Sequence, residues 1–163
     1  MRIFDAFCSN GSTWIDKDFF KSTWVIKNDI RNGEYLIGNR QKIFIKPDTD
    51  IDMFKKHDKF IMLENFDIIY LDPPHSLRTT GIINEKYTHL PKDWESAINN
   101  MWDNVNKLAV PNTTIILKWN ETGKIAIESI IKLAKANNII PMFGSKVRTL
   151  TYWIVFRKGK LWK

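Results

Sequence analysis

Asp72-Pro73-Pro74-His75 is the stretch of this 163-residue chain whose composition most directly suggests a chemistry. Each proline ring fixes its own φ, and Pro74 biases Pro73 toward extended backbone, so the loop is stiff and has little entropy left to lose. Neither proline has an N–H. What the loop presents is acceptors: the Asp72 carboxylate and the two proline carbonyls. An exocyclic amine or amide nitrogen suits such a set, because two acceptors take its two hydrogens and turn its lone pair toward an electrophile. His75 would then lie as a planar lid on the ring that carries the amine. The plainer alternative is a strand stop followed by a turn.

Position favours the chemical reading. Ile68 to Leu71 is a short apolar run without alternation, as expected of a parallel strand covered on both faces. Ligands in open α/β sheets bind outside the carboxyl ends of strands, which is where Asp72 falls. Arg2 to Cys8 reads as the first strand, carrying Asp5 and Phe7, and Ser9-Asn10-Gly11-Ser12 as the turn out of it. A small-residue turn lets a ligand approach the backbone and can open a helix whose N–H groups face a carboxylate. Ser22 to Arg31 holds a second strand ending at Asp29, 24 residues after Asp5. That is close to the separation of about 20 residues at which an acid meets the ribose hydroxyls of an adenosine cofactor. Taken alone, Asp29 reads equally well as a solvated loop acid.

Ile43 to Asp48 is a further short strand stopped by Pro47, and Asp48 and Asp52 are candidate acceptors for an adenine amino group. Ser76 to Lys92 carries few apolar anchors and reads as a flap whose Arg78, Lys86 and Tyr87 would contact phosphate or a displaced base. Apolar spacing predicts an amphipathic helix over Asp93 to Leu108, ended by Pro111-Asn112, and a second helix through Ile125 to Ala134. Between them Thr113 to Trp119 is a strand, and Lys118 and Asn120 fall at its end, on the same edge as Asp72. Trp119 reads as packing. Ile139 to Phe143 and Leu150 to Phe156 make a closing pair of strands. The βαβ alternation predicts a Rossmann-like α/β fold in a single domain spanning 1–163, with no separate target-recognition domain.

The chain has 25 Lys+Arg against 18 Asp+Glu, a formal charge of +7, so a polyanionic partner fits, although the positive residues are scattered except in the tail from Arg157 to Lys163. Seven Trp and 13% aromatics leave room for a ring or two to stack on bases. Cys8 is the one cysteine, which excludes an internal disulfide and a thiolate zinc site. His57, His75 and His89 show no metal-ligand spacing, so no metal is implied. No apolar run reaches the length of a membrane span, and the expectation is a soluble, cytoplasmic protein.

The acid, double proline and ring resemble the Asp/Asn-Pro-Pro-aromatic motif of amino-group methyltransferases that use S-adenosylmethionine. A wider resemblance is to a family of small methyltransferases encoded by viruses and prophages. It rests on Asp5-Ala6, Trp14 with Asp16-Lys17, Asp29 with Arg31, Lys46-Pro47-Asp48, Phe66-Asp67 with Asp72 to His75, Lys86-Tyr87 with Trp94, and Lys118-Trp119-Asn120-Glu121. It covers nearly the whole chain. It implies a class I methyltransferase fold, a mostly parallel sheet with an antiparallel last strand and helices on both faces, and S-adenosylmethionine as cofactor. The Asp/Asn-Pro-Pro-aromatic resemblance implies methylation of an amino nitrogen, read here as an exocyclic one on a nucleic-acid base, DNA in preference to RNA; the wider resemblance brings no defined substrate. On this reading Asp72, Pro73, Pro74 and His75 are catalytic, and Asp5, Phe7, Ser9, Gly11, Asp29, Asp48 and Asp52 bind the cofactor. Arg78, Lys86, Tyr87, Lys118 and Asn120 contact the substrate. A protein side-chain amide is the alternative acceptor, and a binding module that has lost turnover is the alternative outside catalysis.

Overall fold

The computed structural model describes residues 1–8, 24–37, 41–45, 47–58, 65–77, 89–121, 125–147 and 150–159. Strands β1 (Arg2–Asp5), β2 (Trp24–Lys27), β3 (Gly33–Ile37), β4 (Gln41–Ile45) and β5 (Ile68–Leu71) precede helix α1 (Trp94–Leu108). Strand β6 (Thr114–Asn120), helix α2 (Ile127–Ala136), β7 (Ile139–Val147) and β8 (Thr151–Lys158) follow. Six strands form one sheet in the order β2-β1-β5-β6-β8-β7. The first four run parallel; β8 is antiparallel to β6, and β7 to β8. This is the expected Rossmann-like α/β sheet with its antiparallel closing strands.

The sequence explains why β5 lies in the middle. Ile69, Tyr70 and Leu71 are all buried, and a strand with no solvated face is stable only between two others. Strand β6 differs, because Ile115, Leu117 and Trp119 are buried while the alternate residues stay half-exposed. Both described helices cover that buried face. Trp102 of α1 packs on Phe156 of β8 with ring centroids 5.1 Å apart, and Ile127, Ile130 and Ala134 of α2 join the same core. The Asp93 carboxylate accepts the Ser96 N–H at 3.4 Å to start α1. Glu121, six residues upstream of α2, accepts the Ile127 N–H at 2.8 Å and so supplies a cap that Ala126 cannot.

Two expectations change on folding. The strand expected over 43–48 is present as β4, but it pairs with β3 in a separate antiparallel hairpin and adds no strand to the main sheet. Gly33, at φ +123°, opens that hairpin in a conformation closed to other residues. The second helix starts at Ile127, two residues later than its apolar spacing suggests, with Ile125 buried in the approach. The turn at Ser9–Ser12 and most of the expected flap lie outside the described residues.

Candidate active site

A cleft opens at the carboxyl ends of β1, β2 and β5. Phe7, Asp29, Asp52, Asp72 and Pro74 line it together with Ala6, Asn28, Ile30, Arg31, Ile51, Met53 and Phe54. Four segments far apart in sequence therefore share one wall. Asn28 ties three of them: its Nδ2 donates to the carbonyls of Ala6 at 3.0 Å and Ile51 at 2.9 Å. Its Oδ1 accepts the Thr49 hydroxyl at 2.8 Å and the Ile51 N–H at 2.9 Å. An amide with two donors and two acceptor positions is fully used here, and at 1% exposure water could not replace any of these bonds. Asn104 does the same from α1, donating to the carbonyls of Met53 at 3.1 Å and Lys55 at 2.7 Å, so the 53–55 loop is fixed to the helix layer.

Within the cleft the acids are held in set orientations. Asp29 accepts from Arg31 through the backbone N–H and Nε at 2.9 Å on one oxygen and through a terminal guanidinium nitrogen at 2.8 Å on the other. At 6% and 12% exposure this forked pair is largely desolvated, which fixes the carboxylate at the end of β2. Asp52 accepts the Phe54 N–H at 3.1 Å, and the Phe54 ring meets Phe7 at a centroid distance of 5.4 Å. The cavity so formed has an aromatic and aliphatic lining with carboxylates at its margin. A flat, uncharged ring with a polyol attached matches such a lining, and the fit extends to the adenosine part of S-adenosylmethionine.

Asp72 lines the same cleft. Its Oδ2 is 2.7 Å from Lys118 Nζ, with Asp72 14% and Lys118 36% exposed. The register explains the contact: Leu71 faces Leu117 across the β5–β6 pair, so the next residue on each strand emerges on the same side. Pro73 and Pro74 are buried. The half-buried His75 packs edge-on against Trp119 at 6.3 Å. Burial pushes the His75 pKa below its ordinary 6.5, against the opposing pull of Asp72 and of the hydrogen bond its ring shares with the Pro73 carbonyl; Lys118 adds to the lowering. The imidazole is neutral at neutral pH. Cys8, beside the cleft and 4% exposed, has its thiol pushed up to about 12, first by burial and then by Asp5 and Asp29, so it is no nucleophile.

Of the residues singled out in the sequence, Phe7, Asp29, Asp52, Asp72 and Pro74 converge on the cleft. Asp5 is fully buried and accepts the Phe7 N–H at 3.4 Å, supporting the turn behind the cleft. Asp48 accepts the Lys27 N–H at 2.8 Å and is exposed outside the lining, as a clasp between β2 and the following loop. Asn120 donates to the Thr151 hydroxyl at 3.0 Å and joins β6 to β8 without reaching the cleft. Ser9, Gly11, Arg78, Lys86 and Tyr87 lie outside the described residues. Sequence reasoning missed Asn28 and Asn104. For Asn104 a signal existed, a lone amide among the buried apolar positions of α1; for Asn28 there was none. Among the described residues no group of three His, Cys, Asp or Glu side chains is placed to hold a metal ion, and no helix is long and apolar enough to cross a membrane.

No protein-family model matches the chain, and no curated protein matches it in sequence. Solved structures do match. A TehB-like SAM-dependent methyltransferase from Corynebacterium glutamicum superposes with a TM-score of 0.60 at 12% identity, over 98% of this chain and 80% of that one. A SAM-dependent methyltransferase from Methanosarcina mazei gives 0.59 at 12% identity, over 97% and 92%. The 1,6-didemethyltoxoflavin-N1-methyltransferase of Burkholderia thailandensis, solved with bound 1,6-didemethyltoxoflavin and S-adenosylhomocysteine, gives 0.55 at 12% identity, over 98% and 71%. At such identities the likeness is one of fold.

Proposed function

We propose that this protein is an S-adenosylmethionine-dependent methyltransferase acting on an exocyclic amino nitrogen of a nucleic-acid base, DNA in preference to RNA. One observation carries the reading: Asp72 and Pro74 of the stiff loop line the same cleft as Phe7, Asp29 and Asp52. The fold shared with solved methyltransferases supports the cofactor, and the acceptor-rich loop supports the nitrogen. Phe7, Phe54 and Ile51 would enclose the adenine ring, and Asp29, oriented by Arg31, would face the ribose hydroxyls.

When bound, the cofactor supplies an electrophilic methyl group on a sulfonium. The protein's own task is then placement. Asp72, with one oxygen held by Lys118, accepts a hydrogen of the amine and aims its lone pair, and it stabilises positive charge as that charge develops on the nitrogen. The Pro73 carbonyl accepts the second hydrogen, sharing its lone pairs with His75. A neutral His75 offers a flat surface and removes no proton beforehand, because an amine that displaces a sulfonium from its methyl group takes up the positive charge and loses its proton afterwards, to water.

Calorimetric titration with S-adenosylmethionine tests the cofactor, and incubation with methyl-labelled cofactor and DNA, RNA or protein pools, followed by digestion, identifies the acceptor. The reading expects micromolar binding and label on a base amine. Absence of cofactor binding would end it, and label on glutamine would move it to a protein substrate.

A further inference from the structure

Helix α1 carries two stripes with different partners. Ile98, Met101, Trp102 and Val105 are fully buried in the core, so the helix is a rigid support. Beside them Asn100, Asn104 and Lys107 follow one another at steps of four and three residues, the spacing that stacks side chains along one side of a helix. All three donate to backbone carbonyls of one short segment. Asn100 Nδ2 donates to Phe54 at 3.0 Å, Asn104 Nδ2 to Met53 at 3.1 Å and Lys55 at 2.7 Å, and Lys107 Nζ to His57 at 2.5 Å. Asn104 Oδ1 accepts the His57 N–H at 3.3 Å in return.

That segment forms no helix or strand of its own. Its internal bonds curl it without placing it: the Asp52 carbonyl accepts the Lys55 N–H at 3.0 Å and the His57 ring at 2.9 Å. Asn28 ties it to the sheet at Ile51, and α1 holds it from Met53 to His57. Ile51, Asp52, Met53 and Phe54 line the cleft, where the Phe54 ring meets Phe7. An irregular segment without such anchors samples many shapes. A ligand that fits one of them has its apparent Kd raised by the inverse of the fraction in that shape. Gripping the carbonyls fixes the path of the chain and leaves the Phe54 ring at the cleft.

We infer that Asn100, Asn104 and Lys107 are positioning residues for the cofactor. None of the three lines the cleft, and each acts on its wall through the backbone of residues 53–57. The inference rests on the methyltransferase reading, which assigns that wall to the adenine ring. S-adenosylhomocysteine and methylthioadenosine, which lacks the amino-acid end, are titrated by calorimetry into wild type and variants that urea titration shows to be folded. Asn100→Ala and Lys107→Met each lose one bond to the segment and weaken binding about 2- to 10-fold, and Asn104→Ala about 10- to 100-fold. Lys107→Arg keeps a donor for the His57 carbonyl and recovers the affinity. Asn99 lies on the same helix but accepts from Asn137 of α2, so Asn99→Ala binds as wild type does. The two ligands lose affinity by the same factor, because the segment touches only the end they share. A purely structural role would lower the urea midpoint and leave the affinity of the folded variants unchanged.

Wild-type affinity in Asn100→Ala and Lys107→Met overturns the inference. Asn100 is half-buried and Lys107 exposed, so these two variants decide the matter even where Asn104→Ala does not fold. A loss in Asn99→Ala as large as theirs, or a loss for S-adenosylhomocysteine that methylthioadenosine does not share, overturns it equally. Failure of wild type to bind S-adenosylhomocysteine sinks the methyltransferase reading and the inference with it. Wild-type binding that the variants retain in full sinks the inference alone.

Discussion

The two halves of the sheet carry opposite electrostatics. Around the carboxyl ends of β1, β2 and β5 lie Asp5, Asp29, Asp48, Asp52 and Asp72, whereas β6, β8 and β7 hold no acid at all. The halves also differ in how they are built. In the parallel half, loops far apart in sequence are locked by buried amides, Asn28 above all, around a cleft with desolvated walls. In the antiparallel half, the consecutive strands β7 and β8 pair through a short connection and leave Phe143 and Val147 exposed. A cationic small molecule suits the first. Lys118 sits at the boundary, a base from the second half paired to an acid of the first, so the junction between the two fields is nearly neutral where an uncharged amine would react.

The comparison breaks most sharply at Asp72. If that carboxylate serves the incoming amine, Asp72→Ala lowers kcat at least 100-fold, as loss of one preorganised polar group does, while cofactor affinity stays within several-fold. Near-normal single-turnover rates would show that the junction has been misassigned.

Asn28→Ala comes next, because it strips four hydrogen bonds at once from buried partners. A stability loss of about 3 kcal/mol is expected, read from the urea midpoint at unchanged slope. Cofactor affinity should fall with it, since the loops of the acidic half lose their common anchor. A loss below about 1 kcal/mol would mean that the cleft is held by other means.

Asp29→Ala should weaken S-adenosylmethionine binding by about 1–3 kcal/mol in calorimetry, the scale of a removed partner in a buried polar contact. Arg31 then keeps its charge without its carboxylate, so Asp29→Asn, which preserves an acceptor, should recover part of the loss. Unchanged affinity in both variants would reduce the pair to a structural clasp.

The smallest effect concerns His75. Its folded pKa is depressed below 6.5, so below pH 6.5 the unfolded chain binds more protons than the native one. Stability is therefore full above that value and declines as pH falls from 6.5 toward the lowered folded pKa. His75→Phe should remove this part of the pH dependence of the urea midpoint and retain most methyl transfer, whereas His75→Ala should lose transfer through a raised KM. If His75→Phe fails as badly as His75→Ala, an imidazole nitrogen and not a flat ring is required.

What could be read beforehand follows from local rules. The apolar run Ile68–Leu71, the period of 3.6 in Trp94–Leu108 and the period of 2 in Thr114–Asn120 each report which sides of an element must be buried, and that is a property of the chain itself. The stiff loop after β5 is equally local, because proline sets its own backbone angle wherever it occurs. The fold class, the order of the strands' types and the position of Asp72 at a strand end were thus written in the sequence. The separate β3–β4 hairpin was not, since the apolar run at Ile43–Ile45 states that a strand forms there and is silent about its partner.

Partnership is the part that only the tertiary structure decided. Asp29 and Asp48 look alike as loop acids, yet Arg31 and the closing of the cleft bury one, while the other clasps Lys27 in solvent. Asn28 looks like an ordinary surface amide, and it and Asn104 become anchors because folding brings beside them loops that present the carbonyls of Ala6, Ile51, Met53 and Lys55. Lys118 meets Asp72 across 46 residues because β5 and β6 pair in one register and not another. Periodicity fixes which face a side chain leaves from. Register, loop closure and the desolvation they impose fix what it meets, and those depend on the whole chain at once.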